Sequence, residues 1–485
     1  MKKISMFVVS CLLIVVFTGC TSASGEGGTD NQITNSHTEQ PGASTQATQP
    51  AAMPSPDPNK QSTLVFSMYK RDSYFETAAK AYEKEHPNTK INVKYIVKNT
   101  SEDISRAKQE KFKSTMIADF LNGKGPDLVV MDALPADKYV AKGLLANVGD
   151  MLKGDPSFKK ENYYMNILDS LQTSEGGLYM LPLSFSLHTL TGDQQLLEQS
   201  GVHFNDQSWT WTEFLDTIQQ LTAKRDDRYG FMAFDENNLL LNMARTDYNR
   251  LVDAVNRTAH FDSDLFLGML EQIKQMKGQT VLYYGKELKQ TEGSKGFPIY
   301  FGEDELLTPY QYFQYAANMQ NSKEHSLVFY EKPKAEGQQP GGYFEPYLKI
   351  AIHAKSSLQP EAWDFLKFLM SGQASAAAAW GANDLTYEGQ GFNGTFPISK
   401  SLYTAKTDNM VQAGPLQMLE GGPVKITEQD LKKLDSLVTS ANKPIFDGEI
   451  LQIMAKESPA YFHGQKSAQE VAKIIQNKVT TYLNE

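Results

Sequence analysis

The chain has 485 residues, with 47 basic and 57 acidic side chains and a net charge of −10. An acidic surface repels phosphate backbones and anionic headgroups, so binding to nucleic acid or to a membrane surface is disfavoured. The length supports two domain-sized cores, and both cysteines, Cys11 and Cys20, fall within the first twenty residues.

Lys2 and Lys3 precede an apolar run that ends at Phe17. The run is shorter than the ~20 residues of a spanning helix, so residues 1–20 read as a secretory signal peptide. Phe17-Thr18-Gly19-Cys20 resembles the bacterial lipobox, with Phe17 where Leu is commoner. That resemblance implies cleavage before Cys20 and acylation of its thiol. The mature chain would then carry a net charge of −12 and no free thiol. This excludes disulfides, thiolate metal sites and a cysteine nucleophile. Residues 21–60 are mostly Gly, Ser, Thr, Gln, Pro and Asn, a composition that buries too little apolar surface to fold. They are expected to form a disordered tether whose roughly forty residues span about 35 Å.

Leu64 to Met68 reads as the first strand and Tyr69 to Ser73 as the loop after it. Tyr74, Ala78 and Tyr82 recur at helical spacing until His86-Pro87. Ile91, Val93, Tyr95 and Val97 alternate as a second strand, and Phe112, Met116 and Phe120 line a second helix. Asp127 to Met131 is an apolar run that reads as a strand buried on both faces, and Pro135 then leads into a helical segment. Strand, helix, strand, helix, strand is a doubly wound half-sheet, an α/β arrangement. Ligands of such sheets sit outside the carboxyl ends of the strands. Asp132 therefore either contacts a ligand or caps the next turn. Tyr69, Arg71 and Asp72, at the mouth of the first strand, either contact a ligand or form a capped helix start with Asp72 as N-cap.

Further along, Thr210 and Glu213 have the spacing of a capping box, followed by the stripe Phe214, Leu215, Ile218 and Leu221. Trp209 and Trp211 flank that cap and either staple it to the core or stack on a sugar. Tyr229 to Phe234 reads as a strand and Leu265 to Met276 as a helix. Residues 236–257 and 300–340 yield no assigned topology. Pro360 opens a helix that Gly372 closes, with Trp363, Leu366 and Met370 inward. Ser467 and Glu470 begin a final helix striped by Val471, Ile475, Val479 and Leu483. The chain contains no Gly-x-Ser-x-Gly elbow, phosphate-cradling loop, His-Glu-x-x-His or calcium loop, and its eight histidines are scattered singly. No catalytic residue, metal site or cofactor is expected.

Several segments in order resemble the family 1 extracellular solute-binding proteins of ABC importers, the group that includes maltose-binding proteins. They are HPNTKINVKY at residues 86–95, GPDLVVMDALPADKYVAKGLL at 125–145, GLYMLPLSFSLHTL at 177–190, TWTEFLDTIQQLT at 210–222, PEAWDFLKFLMSGQAS at 360–375 and GQKSAQEVAKIIQNKV at 464–479. The resemblance implies a periplasmic-binding-protein-like type II fold, two α/β lobes joined by crossing strands with a ligand cleft between them. It divides the chain into a first lobe of residues 61–186 and 344–412 and a second of 187–343 and 413–485. It makes 177–190 the outward crossing, with Ser184, Phe185 and Ser186 on the cleft floor. Tyr343 to Ile352 resembles the return crossing, which adds Tyr343, Phe344 and Tyr347. Where the family often has Tyr-Asn-Lys after the crossing, this chain has Thr191-Gly192-Asp193.

The implied function is a lipid-anchored receptor on the extracellular face of the cytoplasmic membrane, a monomer that captures a carbohydrate and delivers it to ABC permease subunits. The alternative is a sensory lipoprotein presenting the same cleft to a membrane receptor. The abundance of aromatic rings, 25 Phe, 23 Tyr and 4 Trp, suits sugar faces. Tyr69, Phe185, Phe344 and Tyr347 are the rings expected nearest the cleft, with Trp209, Trp211, Trp380 and Tyr387 next.

Overall fold

The computed structural model describes residues 54–98, 106–223, 228–253, 256–276, 280–283, 299–321, 327–373, 395–416, 423–445 and 448–485. Residues 1–53, with Cys20 and most of the stretch expected to be a tether, lie outside them, as do Trp380 and Tyr387. No described helix is long and apolar enough to cross a membrane.

Thirteen strands are described in chain order: β1 (Ser62–Lys70), β2 (Thr89–Val97), β3 (Leu128–Val130), β4 (Leu181–Asp193), β5 (Tyr229–Ala233), β6 (Val252–Asp253), β7 (Thr258–Ala259), β8 (Val281–Tyr283), β9 (Ile299–Leu306), β10 (Leu327–Glu331), β11 (Gly342–Ile352), β12 (Phe396–Pro397) and β13 (Ala441–Pro444). All but the β6–β7 hairpin join one sheet, in the order β2-β1-β3-β11-β4-β9-β5-β8. β1 pairs in parallel with β2 and β3 at one end, and β5 pairs in parallel with β8 and β9 at the other. Between these half-sheets the long strands β4 and β11 run antiparallel to each other, β11 also antiparallel to β3 and β4 to β9. The fold is α/β and periplasmic-binding-protein-like, with two parallel half-sheets joined by crossing strands.

Local sequence explains most element ends. Asp72 caps the helix Ser73–Glu85 by accepting from Tyr74 N at 2.9 Å, and Phe112, Met116 and Phe120 are the buried face of the helix Arg106–Leu121. Thr210 and Glu213 exchange hydrogen bonds at the start of the helix Trp211–Ala223, and Ser467 and Glu470 do so at the helix Ala468–Asn484. Trp209 and Trp211 are buried, donating their indole N–H groups to Glu331 O (2.9 Å) and Thr246 Oγ1 (2.7 Å), so they staple this entry to the core. Asp127 of the Gly-Pro-Asp motif accepts from Val65 N at 2.8 Å and Ser356 Oγ at 2.6 Å, which ties β1 to the segment after β11. Gly125 is required by space, since a Cβ there would meet the Phe120 ring at 2.7 Å. Within the crossing segment 177–190 the strand β4 starts at Leu181, and ahead of it the Leu178 N–H donates to Asn147 Oδ1.

The sheet separates distinct apolar cores. The first gathers Leu64, Phe66, Leu183, Phe185, Leu187, Phe344, Trp363 and Phe365. A further cluster around Phe112, Phe120 and Tyr139 includes Val129 and Ala351, which alternate with residues of the first core on β3 and β11. The second lobe's core holds Leu190, Phe214, Phe231, Phe301, Ile450, Val471, Ile475 and Val479. The sequence reading assigns the segment from Ala413 to this second core. Leu416, Val424, Leu434 and Val438 instead pack in the first core, and the chain enters the second at Ile450. The reason is β13, which hydrogen-bonds to β11 beside Phe344 and carries the preceding helix Glu428–Ser440 with it.

Phe185 is fully buried, ringed by Tyr164, Phe344 and Phe396. Phe185→Ala should therefore cost about 3 to 5 kcal/mol of stability, read as a lower midpoint at unchanged slope in urea unfolding.

Candidate functional site

The crossing strands build a polar face. On β4 the residues Leu183, Phe185 and Leu187 enter the first core, so period-two alternation turns Ser184, Ser186 and His188 to the other side. The antiparallel register sets Tyr347 opposite Ser184, Glu345 opposite Ser186 and Tyr343 opposite His188. On the other flank, β9 sets Glu305 opposite His188. One face of three adjacent strands thus carries hydroxyls, carboxylates and an imidazole. Ser184 and Ser186 lie at its buried bottom, while Glu345, Tyr347 and Lys349 are half-buried.

The groups on this face are already bonded to each other. Tyr347 Oη donates to Glu305 Oε1 at 2.7 Å and Ser186 Oγ donates to the same oxygen at 2.9 Å. Burial, then the nearby Glu345 and Glu305 charges, push the Tyr347 phenol well above the ordinary tyrosine range. Lys349 gives its ammonium to Asp132 Oδ1 at 2.8 Å and its backbone N–H to Asp132 Oδ2 at 3.1 Å. Asp132 thus joins the return strand instead of capping a turn. Ser184 Oγ is buried without a hydrogen-bond partner. Leu348, between Tyr347 and Lys349, has φ +52°, a left-handed conformation that costs a branched residue of order 1 to 3 kcal/mol. Such strain is found where a fold over-determines the position of its neighbours.

Not every residue singled out in the sequence joins this face. Phe185 and Phe344 belong to the first core, because odd positions on β4 and even positions on β11 face inward. Tyr343 is buried, and its hydroxyl donates to Gln338 Oε1 at 2.9 Å. Arg71 pairs with Glu76, and Asp72 is spent on its helix cap. Tyr69 lies half-buried against Phe112, with ring centroids 5.3 Å apart, and its hydroxyl has no hydrogen-bond partner.

Other residues were missed. Phe234 directly follows β5 and is 59% exposed, an unusual setting for a phenylalanine. The parallel register of β5 with β9 puts it at the end of the sheet where β9 carries Glu303 and Glu305. The strand-mouth rule that singled out Tyr69 applies equally to Phe234. Glu303 is paired with Lys332 and accepts from Asn242 Nδ2 at 2.5 Å. These contacts were invisible in sequence because residues 236–257 and 300–340 had no assigned topology.

The sequence model of the bacterial extracellular solute-binding protein family matches residues 67–376, more than half of the chain. The chain belongs to this family. Solved structures agree on the fold of this solute-binding protein. A family 1 extracellular solute-binding protein from Alicyclobacillus acidocaldarius matches at 17% identity and a TM-score of 0.53, over 88% of this chain and 100% of its own. The sugar-binding protein MalE from Xanthomonas citri matches at 15% identity and 0.54, over 87% and 97%. A binding protein from Bacillus subtilis, in an open conformation, matches at 14% identity and 0.54, over 88% and 99%.

The Tyr347–Glu305 hydrogen bond ends on a carboxylate in a half-buried setting, where such bonds contribute about 1.5 to 3 kcal/mol. A double-mutant cycle of Tyr347→Phe and Glu305→Gln, read by urea unfolding, is expected to give a coupling of at least about 1 kcal/mol; strict additivity would mean the bond does not form in solution.

Proposed function

We propose that this solute-binding protein is a lipid-anchored receptor that captures a carbohydrate, in the first place an oligosaccharide, and hands it to the membrane subunits of an ABC importer. The observation that carries this reading is the polar face of the crossing strands. Serine and tyrosine hydroxyls, carboxylates and a lysine converge there, at the sheet end that Phe234 also occupies. Sugar hydroxyls need donors and acceptors together, while the C–H faces of pyranose rings gain from an aromatic surface. The name of the Xanthomonas citri relative, a sugar-binding protein, points to the same ligand class. No bond of the solute needs to be broken for this role, so the protein would act by binding alone.

Capture would proceed by closure of the two lobes about β4 and β11. Helices of the two lobes meet at a few contacts. The Tyr482 hydroxyl lies 3.1 Å from Asp137 Oδ2, Lys138 Nζ sits 4.2 Å from the centre of the Tyr482 ring, and Lys113 lies 3.7 Å from Glu449. A solute touching both lobes would favour the closed form by its differential contacts.

Calorimetry of the full chain against a panel of oligosaccharides should find a ligand whose affinity falls roughly ten- to a hundredfold in Phe234→Ala, the loss of about 1 to 3 kcal/mol of apolar contact. Because Phe234 is exposed, the variant should melt with the wild type. Small-angle scattering at saturation should show a smaller radius of gyration; an unchanged radius rejects closure, and failure of every sugar rejects the ligand class.

Anchoring is tested separately. Cys20→Ser should move the protein from the membrane to the soluble fraction without altering its thermal melt, since one acyl chain anchors marginally and two anchor stably. Retention of the variant after salt washing would require another anchor.

A further inference from the structure

His188, Glu305 and Glu345 are far apart in the sequence, yet each comes from a different one of the strands β4, β9 and β11 at their crossing. One donor atom from each lies within 4.8 Å of the other two. His188 Nε2 is 3.4 Å from Glu345 Oε2 and 3.8 Å from Glu305 Oε1. Two donors bonded to one tetrahedral zinc at about 2.0 to 2.1 Å stand roughly 3.4 Å apart. The two spacings from the imidazole are that separation or slightly more. It is longer than the ~2.9 Å of a good N–H···O bond, and Nε2 is buried with no hydrogen-bond partner.

The chemistry of the three groups points the same way. Two carboxylates that can only accept face Nε2, so this edge of the imidazole must either carry a proton or meet a cation. Imidazole nitrogen with carboxylate oxygens is a donor set that suits zinc. Glu305 is also held in place by the Ser186 and Tyr347 hydroxyls, which both bond its Oε1, at 2.9 and 2.7 Å. Partners of this kind orient the carboxylates that bind metals.

We propose that His188, Glu305 and Glu345 form a binding site for a divalent cation of the zinc class. Three protein donors leave a position of a four-coordinate ion open to water or to an oxygen of a bound solute. The ion would clamp β4, β9 and β11 together at the place about which the lobes are joined. This assignment concerns the face described above but does not depend on the solute being a sugar.

The test is calorimetry with zinc chloride on the full chain after dialysis against a chelator, with no sugar present. The expected result is one saturable site per chain, weakened about tenfold or more in both His188→Gln and Glu345→Gln. The exposed His463 supplies a control, and His463→Gln should bind as the wild type does. Zinc should raise the melting temperature of the wild type but not of the first two variants. Absence of saturable binding up to millimolar zinc, unchanged binding in both variants, or loss in His463→Gln overturns the proposal. Should a variant fail to fold, anomalous scattering from wild-type crystals grown with zinc decides the matter: a peak among the three side chains supports the site and a peak only elsewhere rejects it.

Discussion

The structure depends on one constraint, that β4 and β11 must serve apolar cores lying on opposite sides of the same strands. β4 sends Leu183, Phe185 and Leu187 into the first core and Leu190 into the second, so the buried parity switches within three residues. Before the switch, the even positions face away from the first core and have not yet reached the second. They are Ser184, Ser186 and His188, which belong to neither core. The polar face of the candidate site is thus a consequence of how one strand joins two cores. Leu348 reports the same tension on β11, where a left-handed residue interrupts the ladder between Tyr347 and Lys349.

Helices were the most legible part of the sequence, since their caps and stripes are local. Asp72, the Thr210–Glu213 and Ser467–Glu470 boxes, and the Phe112–Met116–Phe120 stripe depend only on neighbours within four residues. Strands such as β1, β2 and β5 were equally legible, whereas β9 and β10 fell in a stretch with no assigned topology and the side of a strand that faces the core was not legible. Phe185 and Phe344 show why: both are aromatic, both lie on crossing strands, and only the register with their neighbours decides that they point inward. The histidine was opaque for a stronger reason. His188 reads as a lone residue until β9 and β11 bring two glutamates beside it. Phe234, by contrast, ends a strand that the sequence reading assigned correctly, and only the order of β5, β9 and β4 in the sheet relates it to the crossing.

The hydroxyls and carboxylates of the candidate face are satisfied largely by one another, and this shapes what a solute must do. Glu305 already accepts from Tyr347 and Ser186, and Asp132 already accepts from the ammonium and the backbone N–H of Lys349. A preorganised network keeps its geometry without a ligand, so little ordering remains to oppose binding. It also offers free lone pairs on Tyr347 and the carboxylates while committing its donors. A ligand rich in O–H donors fits such a surface better than one rich in acceptors. Ser184, buried with no partner, is the donor still uncommitted at its base.

The closure proposed above would have to come mostly from the solute. The contacts that bridge the helices of the two lobes lie near the surface, with the Glu485 side chain 64% exposed beside Lys138 and Glu449 31% exposed beside Lys113. Exposed pairs of this sort contribute about 0 to 1 kcal/mol each. Moving a two-state equilibrium from 1:99 to 99:1 takes roughly 5.5 kcal/mol of differential affinity. A handful of such pairs falls short of that figure, so they bias the closed form without securing it. In the proposed function the remainder would come from a ligand held at once by the crossing strands and by groups of the second lobe such as Phe234, and the strength of binding and the degree of closure would then change together when those contacts are altered.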